Sequence, residues 1–362
     1  MRQFRNDYSE GAAPVILDAL VRTNFNQTVG YGEDEHCARA AELIRAACNQ
    51  PDAFVRFLPG GTAVNIVAIS SLTEEFEGPI LAADAHPTAH ETGAIEGAGR
   101  RLLATRDPFG ILTPAEVERV ALLAQAGGHH TTRPGMLYFS NTSELGHVYT
   151  KAEFDALCDV AQAHGLAVYV DGARMASGLA AEGGDLTLEH LASRADAFTL
   201  GGTKNGMLFG EALVVSPRTE RGRRAIERIP FLTKRTGALT AKGRLMGVQF
   251  EAAFDPANAT EDGTLPYFAL ARTANACATR LAAGMREAGF EEYVGTTGNQ
   301  RFFWVTPSLG DTLSQELGAE LAIVDDPTGA GRLVARFVTS WACTEREVDE
   351  ALDRIRILAQ DA

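Results

Sequence analysis

The feature that most constrains the fold is an alternation of short apolar runs with amphipathic helical patterns, which continues to about residue 215. Apolar runs such as Ala53–Leu58, Ala167–Val170, Ala197–Leu200 and Ala212–Val215 predict strands, and stretches such as Lys151–His164 predict helices between them. Strands separated by helices pair in parallel through right-handed crossovers. The alternation therefore predicts a large doubly wound, mostly parallel α/β sheet, whose ligands lie at the carboxyl ends of its strands.

The pattern changes after about Gly243, and we place the domain boundary near residue 250. Two longer helical stretches, Arg244–Phe254 and Pro266–Gly289, lead into predicted strands at Arg301–Val305 and Arg332–Thr339, and Glu345–Leu358 predicts a closing helix. A chain of 362 residues also exceeds what one hydrophobic core usually serves. We therefore predict two domains, a large one over residues 1–250 and a smaller C-terminal α+β domain over residues 251–362.

Composition excludes several classes of function. The 33 basic and 47 acidic residues give a formal charge of −14, which repels nucleic acid and anionic membranes. The sequence predicts neither a membrane span nor a signal peptide. Five scattered cysteines without a Cys-x-x-Cys pair predict a reducing, cytoplasmic location and argue against disulfides or zinc. The pair His86 and His90 lacks a third nearby ligand in sequence, so we predict no metal site.

Two predicted strand ends carry the residues that point to chemistry. Val168-Tyr-Val-Asp-Gly-Ala-Arg174 delivers Asp171, and Phe198-Thr-Leu-Gly-Gly-Thr-Lys-Asn-Gly206 delivers Lys204. Taken singly, Asp-Gly is typical of a turn, and a lysine among glycines is typical of a solvated loop. Together, they match what pyridoxal phosphate requires, a lysine that forms a Schiff base and an acid that faces the pyridine nitrogen. The sequence around Lys204 lacks the Gly-Lys-Ser/Thr ending of a Walker loop, which excludes that type of phosphate-binding loop.

A phosphate site and a stacking residue complete the predicted cofactor pocket. Pro59-Gly-Gly-Thr-Ala-Val-Asn65 follows a predicted strand and opens a helix, where free backbone N–H groups favour an anion, although a tight turn requires the same glycines. Thr203 can add a hydroxyl. His86 follows another strand, just before a predicted helix over Thr88–Gly97, and suits the exposed ring face, although a lone histidine is also common as a structural residue.

Taken together, these motifs resemble the L-threonine aldolase family, within the β-eliminating lyases and aldolases of the aspartate-aminotransferase fold. The resemblance runs nearly from end to end. It rests on Arg5-Asn-Asp-Tyr, Gly30-Tyr-Gly-Glu-Asp, Gly61-Thr-Ala-Val-Asn, His86 with Glu91-Thr-Gly-Ala, Asn141-Thr-Ser-Glu-Leu-Gly, Asp171-Gly-Ala-Arg, Gly202-Thr-Lys-Asn-Gly, Gly237-Ala-Leu-Thr-Ala-Lys-Gly243 and Arg336-Phe-Val-Thr-Ser-Trp341.

The resemblance implies a role for each matching position. Catalysis would fall to Lys204, His86 and Asp171. The cofactor would be held by Gly61, Thr62, His86, Asp171, Arg174, Thr203, Lys204 and, from a neighbouring subunit, Lys242. The substrate would be bound by Asn6, Ser143, Arg174 and Arg336, with the two arginines gripping its carboxylate. The implied assembly is a homodimer or homotetramer with active sites at the interface.

One position departs from the family pattern. Ser143 stands where several family members carry a second histidine near the substrate hydroxyl. The base for that hydroxyl and the preferred side chain therefore stay open. The resemblance implies cleavage of L-threonine or L-allo-threonine to glycine and acetaldehyde, with cleavage of aryl-serines or β-elimination to pyruvate and ammonia as the alternatives. This chain lacks the Gly-x-Gly-x-x-Gly fingerprint after its first strand, which argues against a dinucleotide-binding dehydrogenase. A cofactor-binding protein without turnover would not be expected to keep Lys204.

Overall fold

The computed structural model describes residues 2–360. Its larger sheet has the strand order β1-β7-β6-β5-β4-β2-β3. The strands are β1 (Phe54–Leu58), β2 (Glu77–Leu81), β3 (Leu103–Ala104), β4 (Arg133–Ser140), β5 (Ala167–Asp171), β6 (Ala197–Gly201) and β7 (Glu211–Val215). Strands β5 and β6 are buried along their whole length, as expected for apolar strands covered on both faces.

Helices cover the two faces of this sheet. They are α1 (Pro14–Thr23), α2 (Glu35–Ala47), α3 (Gly61–Leu72), α4 (His86–Ala89), α5 (Ala94–Gly97), α6 (Pro114–Gly127), α7 (Lys151–Ala163), α8 (Met175–Leu179), α9 (Leu188–Arg194) and α10 (Glu220–Arg235). Sequence cues fix several starts. At α7, for example, Thr150 and Glu153 form a reciprocal capping box.

The prediction of a mostly parallel sheet is confirmed, with one strand as an exception. Strands β2, β3, β4, β5 and β6 pair in parallel, but β7 runs antiparallel to both β6 and β1. Strand β7 is antiparallel because residues 202–210 between β6 and β7 form a turn and contain no crossover helix.

The predicted helix over Thr88–Gly97 is wrong as a single element. It divides into α4 and α5, because Thr92 and Gly93 adopt left-handed backbone angles, with φ of 52° and 71°. This break places Glu91 in a turn between the two short helices.

A second, four-stranded antiparallel sheet has the order β10-β11-β9-β8. Its elements and the remaining helices are α11 (Arg244–Phe254), α12 (Pro266–Glu287), β8 (Glu292–Val294), β9 (Gln300–Val305), α13 (Pro307–Leu317), β10 (Glu320–Ala322), β11 (Leu333–Val338) and α14 (Glu345–Gln360). Within residues 2–360, no helix is both long and apolar enough to cross a membrane.

Two large hydrophobic clusters meet along α12. The first underlies the larger sheet and extends to Ala271, and the second begins on the same helix at Cys277. The chain's start also joins the second cluster, since Phe4 accepts a 2.8 Å hydrogen bond from the Val338 backbone N–H. The domain division near residue 250 stays a prediction.

Candidate active site

A cavity of about 330 Å³ opens at the carboxyl ends of β4, β5 and β6, beside the start of α3. Parallel strands deliver their terminal residues to one rim, which is why residues distant in sequence meet here. Seven of the predicted site residues line this cavity: Gly61, Thr62, His86, Asp171, Arg174, Thr203 and Lys204.

Asp171 lies at the end of β5 and is held in one orientation by its neighbours. Its Oδ2 accepts hydrogen bonds from Tyr138 Oη at 2.6 Å and from Asn65 Nδ2 at 3.0 Å. Its Oδ1 accepts the Ala173 backbone N–H at 2.9 Å. A carboxylate oxygen can accept two hydrogen bonds, so Oδ1 retains one acceptor position. Asp171 can therefore receive an N–H from a molecule in the cavity without losing a partner.

A chain of buried hydrogen bonds extends from Asp171 to His86. Asn65 also donates to Glu91 Oε1 at 2.7 Å, and the same oxygen lies 2.8 Å from His86 Nδ1. The Glu91 side chain is fully buried. The hydrogen bond to Glu91 raises the pKa of His86, with the Glu144 carboxylate as a further cause, although burial opposes the shift. Glu91 thus orients the ring of His86 and favours its protonated form.

Lys204 follows β6 and lines the cavity without a hydrogen bond or ion pair to any residue that the structure describes. The nearby Arg174 guanidinium lowers the pKa of Lys204, and burial acts in the same direction. Both effects favour the neutral amine, which is the nucleophilic form.

The start of α3 gives the cavity an anion-binding character. The helix has no side-chain cap, so its first backbone N–H groups lack partners within the helix. A Cβ added at Gly60 or Gly61 would meet no atom within 4 Å, so the helix start faces open space. A phosphate fits this position because the exposed N–H groups and the helix dipole both favour negative charge.

Arg174 forms a buried bidentate pair with Asp7 from the N-terminal segment. Its Nε and Nη2 donate to the two carboxylate oxygens at 2.7 and 3.1 Å. Asn299 Nδ2 adds a third hydrogen bond to Asp7 at 2.9 Å. Burial opposes the ionisation of Asp7, but the Arg174 and Lys204 cations hold its pKa below the ordinary value. This pair brings residues 167 positions apart to the cavity wall.

Four predicted site residues lie outside the cavity lining. Asn6 Oδ1 accepts hydrogen bonds from the Tyr8 backbone N–H and from Ser9 Oγ, which orders the N-terminal turn. Ser143 is buried, and its Oγ accepts the His147 backbone N–H at 3.1 Å. Both polar side chains therefore stabilise local turns in this chain.

The other two are Arg336 and Lys242. Arg336 lies on β11, and its Nη2 pairs with Glu320 on the neighbouring strand β10. Its Nε is buried and has no hydrogen-bond partner among the described residues. Lys242 is exposed. Within one chain, neither side chain belongs to the cavity lining.

Two acidic residues of the cavity were missed from sequence. Glu144 follows the end of β4, accepts a hydrogen bond from Ser140 Oγ at 3.2 Å and is half-buried. The strand-end rule that found Asp171 could have found it. Glu211 is the first residue of β7, and that rule does not select the start of a strand. Its position at this rim follows from the antiparallel direction of β7.

Known proteins resemble this chain over most of its length. The family described as β-eliminating lyase matches residues 3–324. A low specificity L-threonine aldolase from Pseudomonas sp. (strain NCIMB 10558) is 30% identical over 98% of this chain and 97% of that protein, and one from Pseudomonas aeruginosa is 28% identical over 99% and 96%. A solved structure of Leishmania major threonine aldolase superposes with a TM-score of 0.90 at 34% identity, covering 99% of this chain and all of that one.

Solved structures of other enzymes share the fold at lower identity, among them a Sphingomonas wittichii serine palmitoyltransferase with a TM-score of 0.69 at 14% identity, covering all of this chain and 87% of that one. The family match over residues 3–324 and the relative that is 30% identical over 98% of this chain together establish the relationship. This chain belongs to the β-eliminating lyase family.

Proposed function

We propose that this protein is a pyridoxal-phosphate-dependent aldehyde-lyase that cleaves L-threonine and L-allo-threonine to glycine and acetaldehyde. The observation that carries the proposal is the convergence of Lys204, Asp171 and the uncapped start of α3 on one cavity, in a chain similar along its whole length to low specificity L-threonine aldolases. When bound, the cofactor supplies an electron sink for the negative charge that develops at the substrate Cα.

The residues of the cavity fit this cofactor. The N–H groups at Gly61 and Thr62 would hold the phosphate. Asp171 Oδ1 would accept the pyridine N–H and keep it protonated, while Tyr138 and Asn65 hold the carboxylate in place. His86, oriented by Glu91, would cover the exposed ring face. Lys204 would hold the cofactor through its neutral amine.

The substrate carboxylate would bind at Arg174. Two of its donors are committed to Asp7, but Nη1 makes no hydrogen bond with the described residues. A substrate carboxylate would therefore join the pair and would not displace Asp7, since breaking a buried ion pair leaves an uncompensated charge. Arg336 stays a predicted second carboxylate ligand, and Asn6 a predicted assistant.

The substrate's β-hydroxyl must lose its proton when the Cα–Cβ bond breaks. His86 and Glu144 both line the cavity, whereas the Ser143 hydroxyl is bound to its own turn. We assign the proton acceptance to His86, directly or through a water, with the Glu144 carboxylate as the nearby group that stabilises the resulting imidazolium.

The proposal includes assembly into at least a dimer. Lys242 is exposed and lies away from its own chain's cavity, which suits a phosphate contact in a neighbouring subunit. Five buried cysteines without a disulfide among the described residues suit a reducing, cytoplasmic location.

Incubation of the purified, cofactor-loaded protein with L-threonine tests the function. We expect equal amounts of glycine and acetaldehyde, with Lys204→Ala inactive. A 2-oxo acid plus ammonia would identify an eliminating lyase instead. A much higher catalytic efficiency with phenylserine, releasing benzaldehyde, would identify an aryl-serine aldolase.

A further inference from the structure

Glu211 is a buried carboxyl group that the mechanism above does not use. It begins β7 and pairs in register with Gly201 and Leu58, the last residues of the strands β6 and β1 that precede the Lys204 loop and the start of α3. Its side chain lines the cavity, and the residue is only 6% exposed. Gly202 donates its backbone N–H to Glu211 Oε2 at 3.0 Å, and Thr203 Oγ1 lies 2.8 Å from Oε1.

The surroundings of Glu211 favour its neutral form. Burial raises the pKa of Glu211 to about 7, and the Asp171 carboxylate on β5 acts in the same direction. The hydrogen bonds from Thr203 and Gly202 and the Lys204 cation lower it. Two phenols also face this carboxyl group, Tyr169 on β5 and Tyr267 on α12.

We propose that Glu211 is a protonated member of the phosphate-binding site, whose carboxyl hydrogen is donated to Thr203 so that the Thr203 hydroxyl can donate to a phosphate oxygen. The inference rests on the proposed function, because it assumes a phosphate-bearing cofactor at the start of α3.

The hydrogen-bond inventory of Thr203 supports this assignment. A hydroxyl group has one hydrogen and two lone pairs. Thr203 Oγ1 already accepts the Gly210 backbone N–H at 3.1 Å. If Glu211 is ionised, the single hydroxyl hydrogen of Thr203 is held by the carboxylate and cannot reach a phosphate.

Protonation of Glu211 resolves the conflict. Thr203 then accepts two hydrogen bonds, from Gly210 and from the Glu211 carboxyl group, and its own hydrogen is free for the phosphate. The Glu211 carbonyl oxygen still accepts from Gly202. Neutral Glu211 also removes a buried negative charge from the neighbourhood of an anionic ligand. The proton comes from solvent, one for each site that was ionised before binding.

A pH dependence with a definite sign follows. Below the pKa of Glu211, which lies at about 7, the free protein already carries the proton and binding takes up none. Above it, each binding event takes up as much as one proton, and the affinity falls by up to about tenfold for each further pH unit. The phosphate of the cofactor ionises near pH 6, so its own titration must be subtracted.

The variant Glu211→Gln separates the titration of Glu211 from that of the cofactor phosphate. The amide can donate to Thr203 and accept from Gly202 at any pH, so it imitates the protonated acid. We would measure the equilibrium binding of pyridoxal phosphate to the cofactor-free proteins over about pH 6–9 by absorbance, and proton uptake by calorimetry in buffers of different ionisation enthalpy. Glu144→Gln is the matched control, because Glu144 lines the same cavity and makes no hydrogen bond to Thr203.

The expected result is that wild type and Glu144→Gln lose affinity above about pH 7 relative to Glu211→Gln, and take up as much as one more proton per site. Identical pH curves and proton uptake for wild type and Glu211→Gln would overturn the inference, and so would much weaker binding by Glu211→Gln at every pH. If Glu211→Gln does not fold, Thr203→Val replaces it, because it removes the hydroxyl group next to Glu211. Smaller proton uptake near pH 8 by Thr203→Val than by wild type supports the inference, and equal uptake overturns it. Wild type that does not bind the cofactor at all would overturn the proposed function as well, which separates the two failures.

Discussion

The two ends of the cavity differ in how completely this chain builds them. At the proposed pyridine end, which consists of Asp171, Asn65, Tyr138, Glu91 and His86, hydrogen bonds of 2.6 to 3.0 Å link side chains on the strands and helices of the larger sheet. The proposed carboxylate end consists of Arg174 in the cavity lining, its partner Asp7 from the N-terminal segment, and Arg336 of the second sheet, which lies outside that lining. There, both arginines already bind acids of the chain itself.

This difference shows which part of the site is already organised by the fold of a single chain without a ligand. The pyridine end has its donors and acceptors in place before any ligand arrives, so binding requires little reorganisation. At the proposed carboxylate end, a substrate carboxylate would either bind Arg174 beside Asp7 or replace Glu320 as the ion-pair partner of Arg336. We therefore expect substitutions at the pyridine end to affect catalysis on any substrate, and substitutions at the carboxylate end to affect substrate recognition.

The largest effect short of removing Lys204 should come from Asp171→Asn. The amide cannot keep a pyridine nitrogen protonated, so we expect the variant to bind the cofactor but to lose activity by on the order of 100-fold or more. The matched control is Tyr138→Phe, which removes one hydrogen bond to Asp171 and should cost only about 1 kcal/mol, or roughly fivefold. Steady-state kinetics with L-threonine checks both. Full activity of Asp171→Asn would mean that the pyridine end does not serve as proposed.

Arg336→Ala tests the carboxylate end. If Arg336 binds the substrate carboxylate, kcat/KM should fall by an amount that corresponds to a loss of about 2–4 kcal/mol of transition-state stabilisation. Cofactor absorbance and the folded state should persist. Arg336→Lys should rescue the efficiency only in part, because an ammonium group lacks the planar fork of a guanidinium.

Glu320→Gln is the control for Arg336, since it weakens the competing pair while it keeps the guanidinium. We expect its KM for L-threonine to be unchanged or lower. An unimpaired Arg336→Ala would leave Arg174 as the ligand for the carboxylate.

Glu144 and Ser143 are adjacent residues with different expected effects. Glu144 lines the cavity, and its charge contributes to the raised pKa of His86, so Glu144→Gln should reduce kcat by about tenfold. Ser143→Ala should change kcat by less than about threefold, because the hydroxyl accepts one backbone hydrogen bond in a turn. The reverse order of effects would place Ser143 next to the substrate hydroxyl.

The smallest expected change is a shift in the pH dependence of kcat/KM in the variant Glu91→Gln. The hydrogen bond to Glu91 raises the pKa of His86, so His86 keeps its proton to higher pH and is neutral, and able to accept a proton, only above that pKa. Glu91→Gln should lower the pKa of His86 and move the acidic limb of the kcat/KM profile to lower pH. An acidic limb at the wild-type position would mean that His86 is not the group that titrates.

The sequence predicted the parts of the site that follow local rules. Asp171 and Lys204 come directly after apolar strands, and Gly61 starts a helix after another, so the topology alone brings them to one rim. Glu211 was missed because β7 runs in the opposite direction, which brings the start of a strand to that rim. The Asp7–Arg174 pair was missed because 167 residues separate its members and no local pattern records such a contact.

The features that the sequence alone did not position depend on pairing between distant segments or on local backbone angles. Arg336 was predicted from a motif on β11, but its side chain meets Glu320 through the register between two short strands, which depends on the tertiary fold. Likewise, the helix break at Thr92 and Gly93 follows from left-handed backbone angles, which the helical pattern of the surrounding residues did not indicate.

Lys204 lines the cavity and, in the proposed function, holds the cofactor. The chain has four lysines, at positions 151, 204, 234 and 242, so the claim can be tested residue by residue. Reduction of the cofactor-loaded protein with borohydride, followed by proteolysis and mass spectrometry, should place the pyridoxyl group on the peptide containing Lys204, and Lys151→Ala should give the same peptide. A pyridoxyl group on Lys151, Lys234 or Lys242, or on no lysine at all, would contradict the account.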